Sequence, residues 1–235
     1  MFRWRGAGVS RLEGFADAVF AFTLTLLVVA LEVPRNYDDL MKVFQDFPAF
    51  VATFAMVMWF WTTHYIFFRR YGLEDIWTRF YNAAILLCVV FLAYPLKFIF
   101  TSAFAAMFGI GAESNGIQTM AELSQLYIVY GAGLATVCFA YLLLYLHAYR
   151  LRKALHLNET EIIITQGSIS RILINIAVCL VSIVLAQQER HVVLPGIIYC
   201  SLGPLVGING WWHGTRAVKA FDAGRSRHGK PSTAA

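Results

Sequence analysis

Asp17 lies about one turn inside a segment that otherwise reads as a membrane span, since the apolar run Ala18 to Val33 follows it directly. A carboxylate at such depth is costly, about 2.5–3.5 kcal/mol at a helix centre on insertion scales, so it requires a partner or a purpose. Thr23 and Thr25 follow in the same run. An acid and two hydroxyls on an otherwise aliphatic and aromatic helix are groups that can meet ions. Enzymatic chemistry is not expected. No nucleophile with its base, metal-ligand cluster or Gly-rich phosphate loop converges anywhere, and His147, His156 and Asn158-Glu159 are isolated.

Helical geometry sorts these residues onto faces. At about 100° per residue, Phe22, Leu26 and Val29 share a stripe, Thr25 borders it, and Phe15, Val19 and Val33 continue it. Asp17 stands about 140° from Phe22, towards the opposite side. One face can therefore line a narrow apolar passage while the other docks on the rest of the molecule. Apolar constrictions gate ions by dewetting, and hydroxyls replace part of a hydration shell. The same stripe also serves packing or lipid contact, and a mid-membrane Thr commonly bonds its own i−4 carbonyl. Periodicity leaves these alternatives open.

The acid has partners at its own depth. His64 lies about one turn before the cytoplasmic end of the second apolar segment, and Asn82 lies near the start of the third. At about 1.5 Å rise per residue both fall in the layer of Asp17, with Arg11 just below it. A network of Asp17, His64, Asn82 and Arg11 would satisfy groups that lipid cannot. It serves as a structural clamp behind the first helix or, through His64, as a proton-sensitive element.

The elements that position these groups are membrane helices. Of 235 residues, 59% are hydrophobic and 14% charged, where a soluble domain carries about 45–50% and about 25%. Mean hydropathy is +0.61. Six spans of about 20 residues are expected: 14–33, 49–68, 80–104, 126–147, 172–186 and 192–212. The fifth has a short apolar core that can extend back through 162–170. The sixth contains Pro195 and Pro204, so a kink or break is expected. Residues 36–48 and 105–124 read as the longer outer linkers, the second with a short surface helix, and Gln187–His191 as a tight hairpin. Residues 1–223 form one all-α membrane domain, and 224–235 read as a disordered basic tail.

Placing the N-terminus in the cytoplasm puts 15 of the 19 Lys and Arg residues on the inner side and leaves Arg35, Lys42, Lys97 and Arg190 outside, as the positive-inside rule requires. Both termini are then cytoplasmic. The net charge of +5 follows from this asymmetry and needs no nucleic acid to explain it. Cys88, Cys138, Cys179 and Cys200 sit singly in apolar segments, with no spacing for a disulfide frame or a metal site.

Arg11-x-x-x-Phe15-Ala16-Asp17 resembles the Arg-x-x-x-Phe-Ser-Asp signature of the transmembrane protein 175 family, the lysosomal potassium channels and their prokaryotic relatives. Trp61-x-x-His64 at the end of the second span, with Asn82 and Pro95 bracketing the third, extends the resemblance over about residues 8–100. The motif serine is Ala16 here, so one hydroxyl of the usual network is absent. The resemblance implies a prokaryotic potassium-preferring channel in the cell membrane, six helices per chain, assembled as a homotetramer with the first helix of each copy around the central pore. It implies no Thr-Val-Gly-Tyr-Gly filter, no cofactor and no resident metal beyond permeant potassium. The narrowest ring falls at Phe22, with further apolar rings at Leu26 and Val29 and an ion-contacting hydroxyl at Thr25. An aromatic at the first ring departs from the usual Ile or Leu. Arg11, Phe15, Asp17, Trp61, His64 and Asn82 supply the motif and its supporting network. The alternative is a proton-coupled secondary transporter with Asp17 and His64 as its relay.

Overall fold

Helix α1 (Arg11–Val29) begins at a capping box, in which Glu13 N–H donates to Ser10 Oγ at 3.1 Å and Ser10 N–H to Glu13 Oε1 at 3.4 Å. Those bonds satisfy amides that the first turn of a helix leaves free. The computed structural model describes residues 2–6, 8–29, 34–108, 119–188 and 194–228. Val33 and the hairpin positions Glu189, Arg190 and His191 lie outside the described residues.

Helix α2 (Tyr37–Tyr71) is capped by Asn36 and has Asp38 and Asp39 in its first turn and Arg69 and Arg70 in its last, each favourable to the helix dipole. Residues 37–48, expected as an outer linker, are thus the first three turns of α2. Pro48 lies inside the helix. At about 1.5 Å per residue the 35 residues span about 52 Å, well beyond the roughly 30 Å hydrocarbon layer. Gly72 ends α2 in the left-handed conformation, φ 57°, its N–H bonded to Phe68 O at 2.9 Å.

Helix α3 (Ile76–Phe108) follows a short turn in which Asp75 Oδ1 accepts from Thr78 N–H at 2.7 Å. It extends through Pro95, whose carbonyl accepts from Tyr130 of the next helix. It also takes up 105–108 of the second expected linker; 109–118 lie outside the described residues. Helices α4 (Met120–Arg150) and α5 (Glu159–Gln187) each start at a reciprocal capping box, Thr119 with Glu122 and Asn158 with Glu161. Helix α5 does run back through 162–170, because Asn158 and Glu161 supply its start. Beyond it come α6 (Leu194–Ile197), a 3₁₀ turn (Ile198–Ser201) and α7 (Leu202–His228). The expected sixth span is therefore broken at Ile198–Ser201, between Pro195 and Pro204. Helix α7 continues five residues into the segment expected as a tail.

Among the described residues, five stretches are long and apolar enough to cross a membrane: α1, α2, Ile76–Ala93 of α3, Ala121–Arg150 of α4, and α5. Helix α7, carrying Asn209, His213, Arg216, Lys219 and Asp222, is not among them. The described residues are helices and connections, with no strand.

Helix α1 packs on α2 and α3, α3 on α4, α4 on α5, and α7 on α5. Helix α7 lies antiparallel to α5: Pro195 O accepts from Ser182 Oγ at 2.7 Å, and Asn209 Nδ2 donates to Gly167 O at 3.0 Å. The core between α2 and α4 is aromatic, with Phe67 5.1 Å and Tyr71 6.0 Å from Tyr145, both edge-on, and Phe60 stacked on Tyr141 at 6.4 Å. In lipid there is little hydrophobic drive between helices, so such shape-specific contacts and the bond from Tyr141 OH to Phe60 O at 2.7 Å hold the bundle.

Candidate pore helix and its supporting network

The bundle leaves α1 at its edge with two unlike faces. Ala16, Phe20, Thr23 and Leu27 recur at helical spacing and are buried against α2 and α3. Phe22, Thr25, Leu26 and Val29 stand on the open side, Phe22 at 59% and Val29 at 72% exposure. The stripe expected from the periodicity is thus the face that this chain leaves uncovered. Phe15 is on the open side too.

The two threonines separate. Thr23 is buried and donates to Val19 O at 2.8 Å, whereas Thr25 is exposed and donates to Ala21 O at 3.0 Å. Each hydroxyl proton is engaged with the i−4 carbonyl. For Thr25 the oxygen lone pairs remain available on the open face, where they can accept a cation.

The expected four-membered network is two pairs. Trp61 Nε1–H of α2 donates to Asp17 Oδ1 at 2.8 Å, on the exposed flank of α1. His64 Nε2 meets Asn82 Oδ1 at 2.6 Å in a buried contact between α2 and α3. The buried ring of Phe20 on α1 stands 5.6 Å from His64, edge-on. Asp17 therefore bonds α1 to α2, and His64 bonds α2 to α3. Arg11 is exposed and belongs to none of the ion pairs among the described residues, which are Arg5–Glu161, Lys97–Asp46 and His147–Asp75. An arginine at the first turn of a surface helix reaches water more cheaply than it reaches Asp17 one and a half turns on.

Ala16 is wholly buried in the apolar core. The buried side-chain atoms that lack a partner among the described residues belong to Arg69, Thr78, Tyr145 and His213, so the missing motif hydroxyl orphans no buried atom of His64 or Asn82.

Two features escaped the spacing argument. The Ser10–Glu13 box that starts α1 is an S-x-x-E pattern legible in the chain. The contact of Arg5 with Glu161 is separated by 156 residues and has no local signal. At the same end of the bundle His147 Nε2 meets Asp75 Oδ2 at 2.6 Å. Burial raises the Asp75 carboxyl, but the Thr78 amide and His147 outweigh it, and the group is held below the usual carboxylate range.

Comparison with known proteins places these features. The family described as endosomal/lysosomal potassium channel TMEM175 matches residues 11–93, which include the whole of α1 and the Trp61, His64 and Asn82 positions. A potassium channel of Marivirga tractuosa is 32% identical over 220 residues, 89% of each chain. One of Chamaesiphon minutus is 29% identical over 93 residues, 36% of this chain and 46% of that one. Among solved structures, a variant of the potassium channel MtTMEM175 superposes with a TM-score of 0.78 at 30% identity, over 91% of this chain and 97% of the other. A lysosomal potassium-selective channel TMEM175 homolog from Chamaesiphon minutus superposes with a TM-score of 0.59 at 18% identity, over 88% and 96%, a likeness of fold.

Proposed function

Because this chain belongs to the TMEM175 family of potassium channels, as a prokaryotic member, we propose that it is a potassium-preferring cation channel whose pore is lined by α1 and closed by apolar rings at Phe22, Leu26 and Val29. The family is one of channels and not of enzymes. Residues 1–223 act as one channel domain in the cell membrane, with both termini cytoplasmic. Potassium is the permeant ion, no cofactor is required, and lipid is the surrounding solvent.

The open face of α1 carries this reading. An apolar helix with one face packed and the other bare offers that face to a second copy or to lipid, and one such helix per chain cannot enclose an axial passage. Closed symmetry supplies the remaining walls, and a homotetramer brings four copies of the stripe together. Phe22, Leu26 and Val29 then form successive dewetting barriers, with Thr25 offering its oxygen lone pairs between them. Asp17, held by Trp61, and the His64–Asn82 pair support the helix from behind. The transporter reading loses support from the same geometry. An indole N–H donates but has no acceptor, so Trp61 is a poor link for a proton relay between Asp17 and His64.

Planar-bilayer recording of the reconstituted protein under potassium/sodium bi-ionic conditions tests the proposal. Unitary currents with a reversal potential favouring potassium are expected. Saturable, proton-driven uptake without unitary currents would replace the channel with a carrier.

A further inference from the structure

The segment before α1 crosses the bundle as a built strap. Arg5 N–H and Gly6 N–H donate to Arg69 O at 3.1 and 3.3 Å, and Arg69 Nη1 returns a bond to Gly6 O at 2.7 Å. Both crossings are made at glycine. A Cβ on Gly6 would stand 3.0 Å from Phe68 O, and one on Gly72 would stand 3.2 Å from the Arg5 carbonyl carbon. Aromatic contacts hold the flanks: Phe2 lies edge-on to Tyr71 at 5.7 Å, Arg70 sits 5.0 Å over Phe2, and Arg69 sits 5.5 Å over Trp4.

The strap ends in a latch. Arg5 Nη2 and Nη1 donate to Glu161 Oε2 and Oε1 at 2.7 and 3.1 Å, a two-point guanidinium–carboxylate pair. Arg5 Nε donates to Leu155 O at 3.1 Å. Glu161 is 1% exposed, and its carboxylate also accepts Arg3 N–H at 2.8 Å and Asn158 N–H at 3.1 Å, so its acceptor sites are filled. Among the described residues the main packing of α1 is on α2 and α3, whereas the latch is on α5 and the loop before it. Four residues, 7–10, separate Gly6 from the first residue of α1.

We propose that residues 2–6 are a strap, latched by Arg5 on Glu161, that fixes the leading end of α1 to the peripheral helices and thereby sets how often the channel opens. Arg5 and Glu161 are positioning residues, and this rests on α1 being the pore wall. The strap lies outside the pore face, so it governs the equilibrium between closed and open arrangements and leaves the permeation path itself alone.

Single-channel recording of the full chain with Arg5→Ala, Glu161→Gln, the double variant and Arg5→Lys tests it. Open probability is expected to rise at least about threefold in Arg5→Ala and in Glu161→Gln, and no further in the double variant, because each breaks the same latch. Arg5→Lys, which keeps the charge but not the fork, is expected to be intermediate and guards against a folding defect in the alanine variant. Unitary conductance and the potassium/sodium reversal potential are expected to stay at wild-type values, which a general loosening of the bundle would not spare. A conducting wild type whose variants open no more often, or effects that add in the double variant, would overturn the strap. A wild type without unitary currents would instead overturn the channel reading on which it rests.

Discussion

Asp17 of α1 takes the indole N–H of Trp61 from α2 at 2.8 Å, so one oxygen of the acid of the first span is tied to a neighbouring helix. Trp61→Phe keeps the ring and removes the donor, and is expected to lower stability by about 1 kcal/mol. Asp17→Asn retains an acceptor oxygen and is expected to lose less. Thermal unfolding of the detergent-solubilised protein measures both. A Trp61→Phe variant as stable as wild type would show that the bond contributes nothing to holding α1.

The open face of α1 predicts a different phenotype. Phe22→Ala and Leu26→Ala remove the bulk that dewets the passage and are expected to raise basal potassium flux into vesicles about tenfold or more, equivalent to about 1.4 kcal/mol off the barrier. Leu27→Ala, on the packed face, is expected to lower stability without that leak. Wild-type flux in both Phe22→Ala and Leu26→Ala would remove these residues from the gate.

The buried His64–Asn82 contact at 2.6 Å joins α2 to α3 where lipid offers no substitute partner. Asn82→Ala or His64→Ala leaves the other group unpaired and is expected to cost about 1–3 kcal/mol. The combined variant is expected to cost less than the sum, since the second change removes the orphan left by the first. A double-mutant cycle on thermal stability checks this, and strict additivity would count against the pair.

Asp75 supplies a pH dependence. Its folded value lies below its unfolded one, because the Thr78 amide and His147 outweigh the burial that raises it. The contribution is therefore present above the unfolded carboxylate value of about 3.9 and is lost as pH falls through the lower folded value. His147 on α4 is the titratable group that faces it. The stability gap between wild type and Asp75→Asn is expected to close as pH drops below about 4. A gap that persists unchanged at acid pH would exclude the linkage.

The positions of α1, α3, α4 and α5 were legible because apolar length and helical period are local properties of the chain, and spacing alone puts Phe22, Leu26 and Val29 on one stripe, whereas the packing of α1 decides that the stripe is bare. The start of α2 at Tyr37 was misjudged because acidic residues read as linker, although Asn36, Asp38 and Asp39 are the cap and first turn of a helix. Depth along separate helices puts Asp17, His64 and Asn82 in one expected layer, but a layer carries no azimuth. Which neighbour each side chain meets depends on how the helices are rotated in the packed bundle, and that rotation turned one network into Asp17–Trp61 and His64–Asn82 and left Arg11 outside both. Arg5 and Glu161 are the extreme case. Their types invite a pair, yet at a sequence separation of 156 only the folding of α5 against the end of α2 brings the carboxylate under the strap. By itself the sequence determined a family, a set of membrane helices and the stripe on the first of them, since these are short-range patterns. The tertiary structure alone decided what holds that helix in place, because hydrogen-bond partners across helices are set by packing.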